Sequence, residues 1–303
     1  MTSLEVIQLG KNQLLGGIPQ SIRKLCNLRI LDLSSNNITD DVSILAKISS
    51  ECAGGSLEIL NLRGNNMVGN LSDWLAHLKV LTFLDLGNNL LQGTIPASIG
   101  NISTLRSLSL SHNTLNGTLP ESIGQLSTLN LFDVSHNSLS GTISEVHFQN
   151  LSKLEHLSLG SNSFVFNMSS DWEPPFRLRL IGLRHCRIGP KFPPWLMKQT
   201  DYNILDLSYA EINDTAPEWI SNYHQHIFLL DLSHNQITGE VPGRLKYASM
   251  SHIDLSFNQV EGRLPGLPAS IEYIDFSGNS FSGSISPLFA QPMLGFLSFD
   301  YHR

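Results

Sequence analysis

One spacing of leucines returns along the whole chain and leaves few folds open. Leu81-x-x-Leu84-x-Leu86-x-x-Asn89-x-Leu91-x-Gly93-x-Ile95-Pro96 comes back 24 residues later as Leu105-x-x-Leu108-x-Leu110-x-x-Asn113-x-Leu115-x-Gly117-x-Leu119-Pro120. Counting the first apolar residue of each unit gives starts at Leu4, Leu28, Leu57, Leu81, Leu105, Leu129, Leu154, Leu178, Tyr202, Ile227, Met250 and Ile271, with a broken thirteenth at Leu294. Alternating Leu-x-Leu is the period of a short strand with one apolar face, and no unit of this length buries its own leucines. Units must therefore stack and share one core. The expected fold is of the α/β repeat class: one domain over residues 1–303, a curved right-handed solenoid. Short parallel strands line its concave side, and loops and 3₁₀ turns, broken by Gly and Pro, form the convex return.

The ninth position of the unit is Asn in ten of the units: Asn12, Asn36, Asn65, Asn89, Asn113, Asn137, Asn162, Asn235, Asn258 and Asn279. An amide there can donate and accept at once, where the chain leaves the strand and its backbone groups lose their ladder partners. Cys186 and Ala210 stand in this column instead. Cys186 is expected to be buried and free, and Ala210 to need a local adjustment or a water.

The 24-residue form with Leu-x-Gly-x-Ile-Pro resembles the plant-specific class of leucine-rich repeats over essentially the whole chain. Two stretches carry a finer likeness: Leu25-Cys26-Asn27-Leu28 with the enlarged unit that follows, and Trp172-Glu173-Pro174-Pro175-Phe176 with Gly182-Leu183-Arg184-His185-Cys186 and Pro193-Pro194-Trp195-Leu196. Both look like plant receptor-like proteins, the group that includes receptors for fungal xylanase. The resemblance implies an extracellular ligand-recognition domain of defence or developmental signalling, part of a longer membrane-anchored protein and signalling through receptor-kinase partners. The ligand left open is a peptide, a protein or a carbohydrate. An inhibitor of a cell-wall-degrading enzyme, similar to polygalacturonase-inhibiting proteins, is the alternative, and a truncated gene product without function is another. The first residues resemble no signal peptide, and neither end carries the polar cap that terminal repeats need.

Cys26 and Cys52 flank the enlarged second unit, and a bridge between them would close a loop of about 25 residues, worth roughly 3 kcal/mol in the chain-entropy picture. Seven Asn-x-Ser/Thr sequons, at Asn37, Asn70, Asn101, Asn116, Asn150, Asn167 and Asn213, are candidate glycosylation sites.

Catalytic signatures are missing from the sequence: no Gly-x-Ser-x-Gly elbow, His-Glu-x-x-His, Cys-x-x-Cys or phosphate loop occurs. No cofactor or metal is expected. Columns of Asp (Asp32, Asp85, Asp133, Asp206, Asp231, Asp254, Asp275) and of His three residues on (His112, His136, His185, His234) follow from the repeat, and read as a ladder rather than as metal ligands. A net charge of −7 with scattered Lys and Arg argues against nucleic acid, and no apolar stretch reaches the length of a membrane helix. By strand alternation the third, fifth, seventh and eighth positions are expected to face outward on the concave sheet. From the seventh unit onward they collect His156, Arg184, His185, Tyr209, His234, His252, Phe257 and Tyr273, the candidate ligand-binding residues. Aromatic and Arg side chains of this kind dominate interface hot spots.

Overall fold

The computed structural model describes residues 3–50, 52–218, 226–243, 245, 249–286 and 296–298. It divides into two compact units, one of Met1–Phe164 with Pro174–Phe176, the other of Val165–Glu173 with Arg177–Arg303. Each is a leucine-rich-repeat stack. In the first unit the strands Val6–Gln8, Ile30–Asp32, Ile59–Asn61, Phe83–Asp85, Ser107–Ser109, Leu131–Asp133 and His156–Ser158 pair in parallel in chain order. The second unit repeats this with Leu180–Gly182, Ile204–Asp206, His226–Asp231, Ser249–Asp254, Tyr273–Asp275 and Phe296–Ser298. In both, the central residue of each pairing is an inward apolar one, as with Phe83↔Ser107 flanking Leu84↔Leu108. Leu84, Leu108, Leu157, Leu205 and Ile253 are fully buried, so the leucine columns are the core.

The return path is more ordered than loops. The Leu-x-Gly segments pair into a second parallel sheet, Val68–Asn70, Leu90–Gly93, Thr114–Thr118 and Ser138–Ile143 in the first unit, and Thr238–Glu240, Gln259–Arg263 and Ser280–Ser282 in the second. After it, Ile95-Pro96 and Leu119-Pro120 lead into the 3₁₀ helices Ala97–Asn101 and Glu121–Gln125, each entered through an extended Pro. The only α-helices among the described residues are Ile44–Ser49, inside the enlarged second repeat, and Pro194–Met197.

The Asn column closes the turn after each strand. Asn113 donates through Nδ2 to the carbonyls of Leu86, Leu110 and Ser111, and its Oδ1 accepts the Leu91 N–H at 2.9 Å. Asn258 does the same with Leu232, Leu255, Ser256 and Ile237. At Ala210, which has no amide to offer, the backbone adjusts: its carbonyl accepts the N–H groups of both Ile188 and Gly189 at 3.1 Å. Asn235 Oδ1 in turn accepts from both Ala210 and Ile212, and Glu211 takes up a left-handed φ of 57°.

Candidate concave recognition site

Strand alternation carries the side chains only through the fifth position, where each three-residue strand ends. The eighth position lies beyond it, and there the backbone turns left-handed in every described repeat. Lys11, Ser35, Asn88, His112, His136, Ser161, His185, Tyr209, His234 and Phe257 have φ between 52° and 59°, and Gly64 and Gly278 are positive too. A non-glycine residue costs roughly 1 kcal/mol or more in this region, which suits Gly and Asn best. Bulky rings held in it in consecutive repeats need a compensating contact.

That contact is with each other. In the second unit His185 stacks on Tyr209 with ring centroids 4.4 Å apart, Tyr209 on His234 at 4.1 Å, and His234 on Phe257 at 4.4 Å. The last two pairs are within 14° of parallel. Stacked pairs of this kind contribute roughly 0.5–1.5 kcal/mol each. Arg184 joins the column with its guanidinium carbon 5.0 Å from the centre of the Tyr209 ring and a hydrogen bond to the Ser208 hydroxyl. A second column starts at the third position, where His252 and Tyr273 are register partners 5.8 Å apart. Phe228 extends it, tilted against His252 at 4.9 Å and half exposed. The sequence reading missed Phe228 because it sits one place off the variable column. Of the other candidates, His156 lies on the last strand of the first unit, where His112 and His136 form their own stack at 4.1 Å.

Between the two columns of the second unit runs the acidic one. Asp206, Asp231, Asp254 and Asp275 each accept the N–H of the Ser two residues on, through Oδ1 at 2.8–2.9 Å. The sequence places those serines outward; the structure corrects this, since Ser208, Ser233, Ser256 and Ser277 are buried. The hydrogen bond folds each one back onto the strand's own carboxylate, so they form a polar layer under the surface. Burial raises the pKa of Asp206, and pushes that of Asp254 to about 6, offset in part by its Ser256 hydrogen bonds and reinforced by Asp231 and Asp275 on either side. His185 and His234 are shifted down, first by burial and then by Arg184.

These shifts carry a sign. A carboxyl whose folded pKa lies above its unfolded one holds a proton that the unfolded chain has lost, so the stability it contributes is present at low pH and falls as pH rises from about 4 to about 6. The two histidines act oppositely, since protonation near their ordinary pKa of about 6.5 favours the unfolded chain. Asp254→Asn is therefore expected to raise the melting midpoint of the second unit at pH 7 and leave it nearly unchanged at pH 4. Thermal melts of the two proteins across pH check it, and a midpoint lowered at pH 7 would contradict it.

Cys26 is disulfide-bonded, while Cys186 is a buried thiol whose pKa is pushed up to about 12, first by burial and then by Asp206. The side chain of Cys52 lies outside the described residues. All seven sequon asparagines are exposed. Among the described residues no three His, Cys, Asp or Glu are placed to hold a metal ion, and no helix is long and apolar enough to cross a membrane. The tryptophan-proline segment serves packing: Trp172 meets Trp195 edge-on at 5.9 Å, and Glu173 pairs with Lys198.

Stacked parallel strands, a core of leucines and an asparagine ladder define a leucine-rich-repeat protein, and the family described as leucine-rich repeat region matches residues 2–218, with single leucine rich repeats matching 226–247 and 270–291. The chain belongs to the leucine-rich-repeat family. It is similar to plant receptor-like proteins: Receptor-like protein EIX2 of Solanum lycopersicum is 42% identical over 161 residues, 53% of this chain and 16% of that protein. Receptor-like protein EIX1 of the same plant is 46% identical over 98 residues, 32% of this chain and 10% of that one. The matches thus span a small part of these relatives' length. Among solved structures, the plant peptide hormone receptor RGFR1 in complex with RGF2 superposes with a TM-score of 0.79 at 27% identity, over 98% of this chain and 48% of the receptor. PEPR1 with AtPEP1 gives 0.74 at 26%, over 98% and 48%.

Proposed function

We propose that this chain is the ligand-recognising segment of a plant leucine-rich-repeat receptor-like protein, acting outside the cell by binding and not by catalysis. Its contact surface is the concave face of the second unit, with Arg184, His185, Tyr209, His234, His252, Phe257 and Tyr273; His156, on the first unit, is a separate candidate there. The observation that carries this reading is the unbroken stack from His185 to Phe257, four rings kept in a backbone conformation that favours Gly or Asn. Packing of the core does not require them, because the same column holds Ser35 and Asn88 elsewhere. Strained rings of this kind, exposed at His185 and Phe257 and half-buried at Tyr209 and His234, point to function.

A peptide or protein suits this face better than a sugar. Tyr209 and His234 have both faces covered by neighbouring rings, whereas a pyranose needs a free aromatic face, which this column keeps only at its ends. RGFR1 and PEPR1 are each seen with a peptide, and this supports the same class. Receptor kinases remain the expected signalling partners, through the likeness to receptor-like proteins. Glycans on the seven exposed sequons and a Cys26–Cys52 bridge fit the same extracellular setting.

The test is a peptide selected from a random library on the intact chain, followed by hydrogen exchange of the complex. Protection is expected in Ile204–Asp206, His226–Asp231, Ser249–Asp254 and Tyr273–Asp275. Protection confined to the return sheet would refute the assignment.

A further inference from the structure

Among the described residues the ring column of the second unit ends at Phe257. His234 covers one face of Phe257 at 4.4 Å, but the next residue in the column is Gly278, which has no side chain to lay over the other face. Phe257 is accordingly 43% exposed. Its ring leans toward Gly278 closely enough that an added Cβ there would meet ring carbon Cδ1 at 2.9 Å. Gly278 thus covers the Cδ1–Cε1 edge of the ring, and the exposed remainder is open to a planar group arriving from solvent.

Charge decides which planar group. Asp231, Asp254 and Asp275 pair with no cation among the described residues, while the ion pairs of this unit, such as Arg187–Glu211 and Lys191–Asp214, lie elsewhere. Asp275 stands at the fifth position of the repeat that carries Tyr273 at its third and Gly278 at its eighth, which places it between the two aromatic columns in the same repeat as Gly278. The molecule already contains the matching arrangement, since Arg184 stacks on Tyr209 in the same column. A guanidinium is flat, cationic and weakly hydrated, so it can stack on a ring and donate to a carboxylate at once; an ammonium does this poorly.

We propose that the open part of the Phe257 ring, with Asp275 in the repeat of Gly278, is a subsite for an arginine side chain of a peptide ligand. This rests on the reading of the concave face as the recognition surface and adds the chemistry of one ligand residue.

The probes are the synthetic peptides (Arg-Gly)4, (Lys-Gly)4 and (Phe-Gly)4, titrated into the intact chain by calorimetry at low salt. The arginine peptide is expected to bind at least about fivefold tighter than the lysine peptide of equal charge. Phe257→Asn, which suits the left-handed backbone, and Asp275→Asn should each remove most of that preference. Gly278→Asn should do so by filling the rung, while Gly64→Asn, the same change at the same backbone position in the first unit, should leave it intact. Equal binding of the arginine and lysine peptides would show only attraction to a chain of net charge −7 and would overturn the proposal. Tighter binding of the phenylalanine peptide would overturn it in favour of an apolar rung. Should the arginine preference be absent while the library-selected peptide still depends on Tyr209 and Phe257, the subsite falls and the recognition face stands; if that dependence is absent too, both fall.

Discussion

Asn113→Leu is expected to lower the melting midpoint of the first unit by about 10 °C, from a loss of roughly 3–5 kcal/mol. The side chain is buried, and its amide satisfies four backbone groups at once: the carbonyls of Leu86, Leu110 and Ser111 and the N–H of Leu91. Leucine fills the volume but leaves the Leu91 N–H dry and unpaired, which costs about 1–3 kcal/mol, and takes one donor from each of the three carbonyls, which keep only Asn89 Nδ2, Asn137 Nδ2 and the Asn88 N–H, for a further loss of about 0.5–1.5 kcal/mol each. Ala210 shows what the fold requires when the amide is missing. There the chain supplies a carbonyl in its place and bends Glu211 into a left-handed turn, a change that a single substitution at Asn113 cannot bring with it. Thermal unfolding followed by circular dichroism reads the effect. A midpoint within a degree or two of the parent would mean that the ladder is ornamental.

Gly124→Val should be as damaging by a different route, a loss of about 3 kcal/mol or more. Gly124 belongs to the 3₁₀ helix Glu121–Gln125, and a Cβ on it would run into the backbone carbonyl of Val146 in the next coil. The obstacle is main chain, so no rotamer change relieves it. Gly100 meets Ser122 in the same way, and the Ser-Ile-Gly that recurs at residues 98–100 and 122–124 is the sequence mark of this close approach. Gly243→Ala is the control, because nothing lies within 4 Å of its added Cβ. Urea unfolding of the two variants should separate them clearly, and equal midpoints would contradict the account.

Much of this fold was legible because a fixed period ties each side chain to a place. The strands, the leucine core and the Asn ladder follow from spacing alone, and so does the burial of Cys186. The return path was less legible: Leu-x-Gly reads as a turn, yet the stacking of repeats lets Leu90–Gly93 and Thr114–Thr118 pair into a second sheet. The ring columns were partly legible. The aromatic residues could be found by column, but alternation along a strand cannot explain why the seventh and eighth positions are neighbours with different fates. The left-handed turn at the eighth position explains it, and its trace was present in Gly64, Asn88 and Gly278, residue types that tolerate that backbone. What the sequence could not convey is that the rings stack on one another, since contact between rungs depends on side-chain orientation across repeats.

The concave face of the second unit is the centre of this account, and paired affinities test it most directly. A library-selected peptide is titrated against the parent chain, against Tyr209→Asn and Phe257→Asn, which keep the left-handed backbone, and against Glu261→Ala on the exposed return sheet. The account predicts a loss of about tenfold or more at each ring, as for an interface hot spot, and no change at Glu261. Full affinity in both ring variants, with binding abolished by Glu261→Ala, would contradict it.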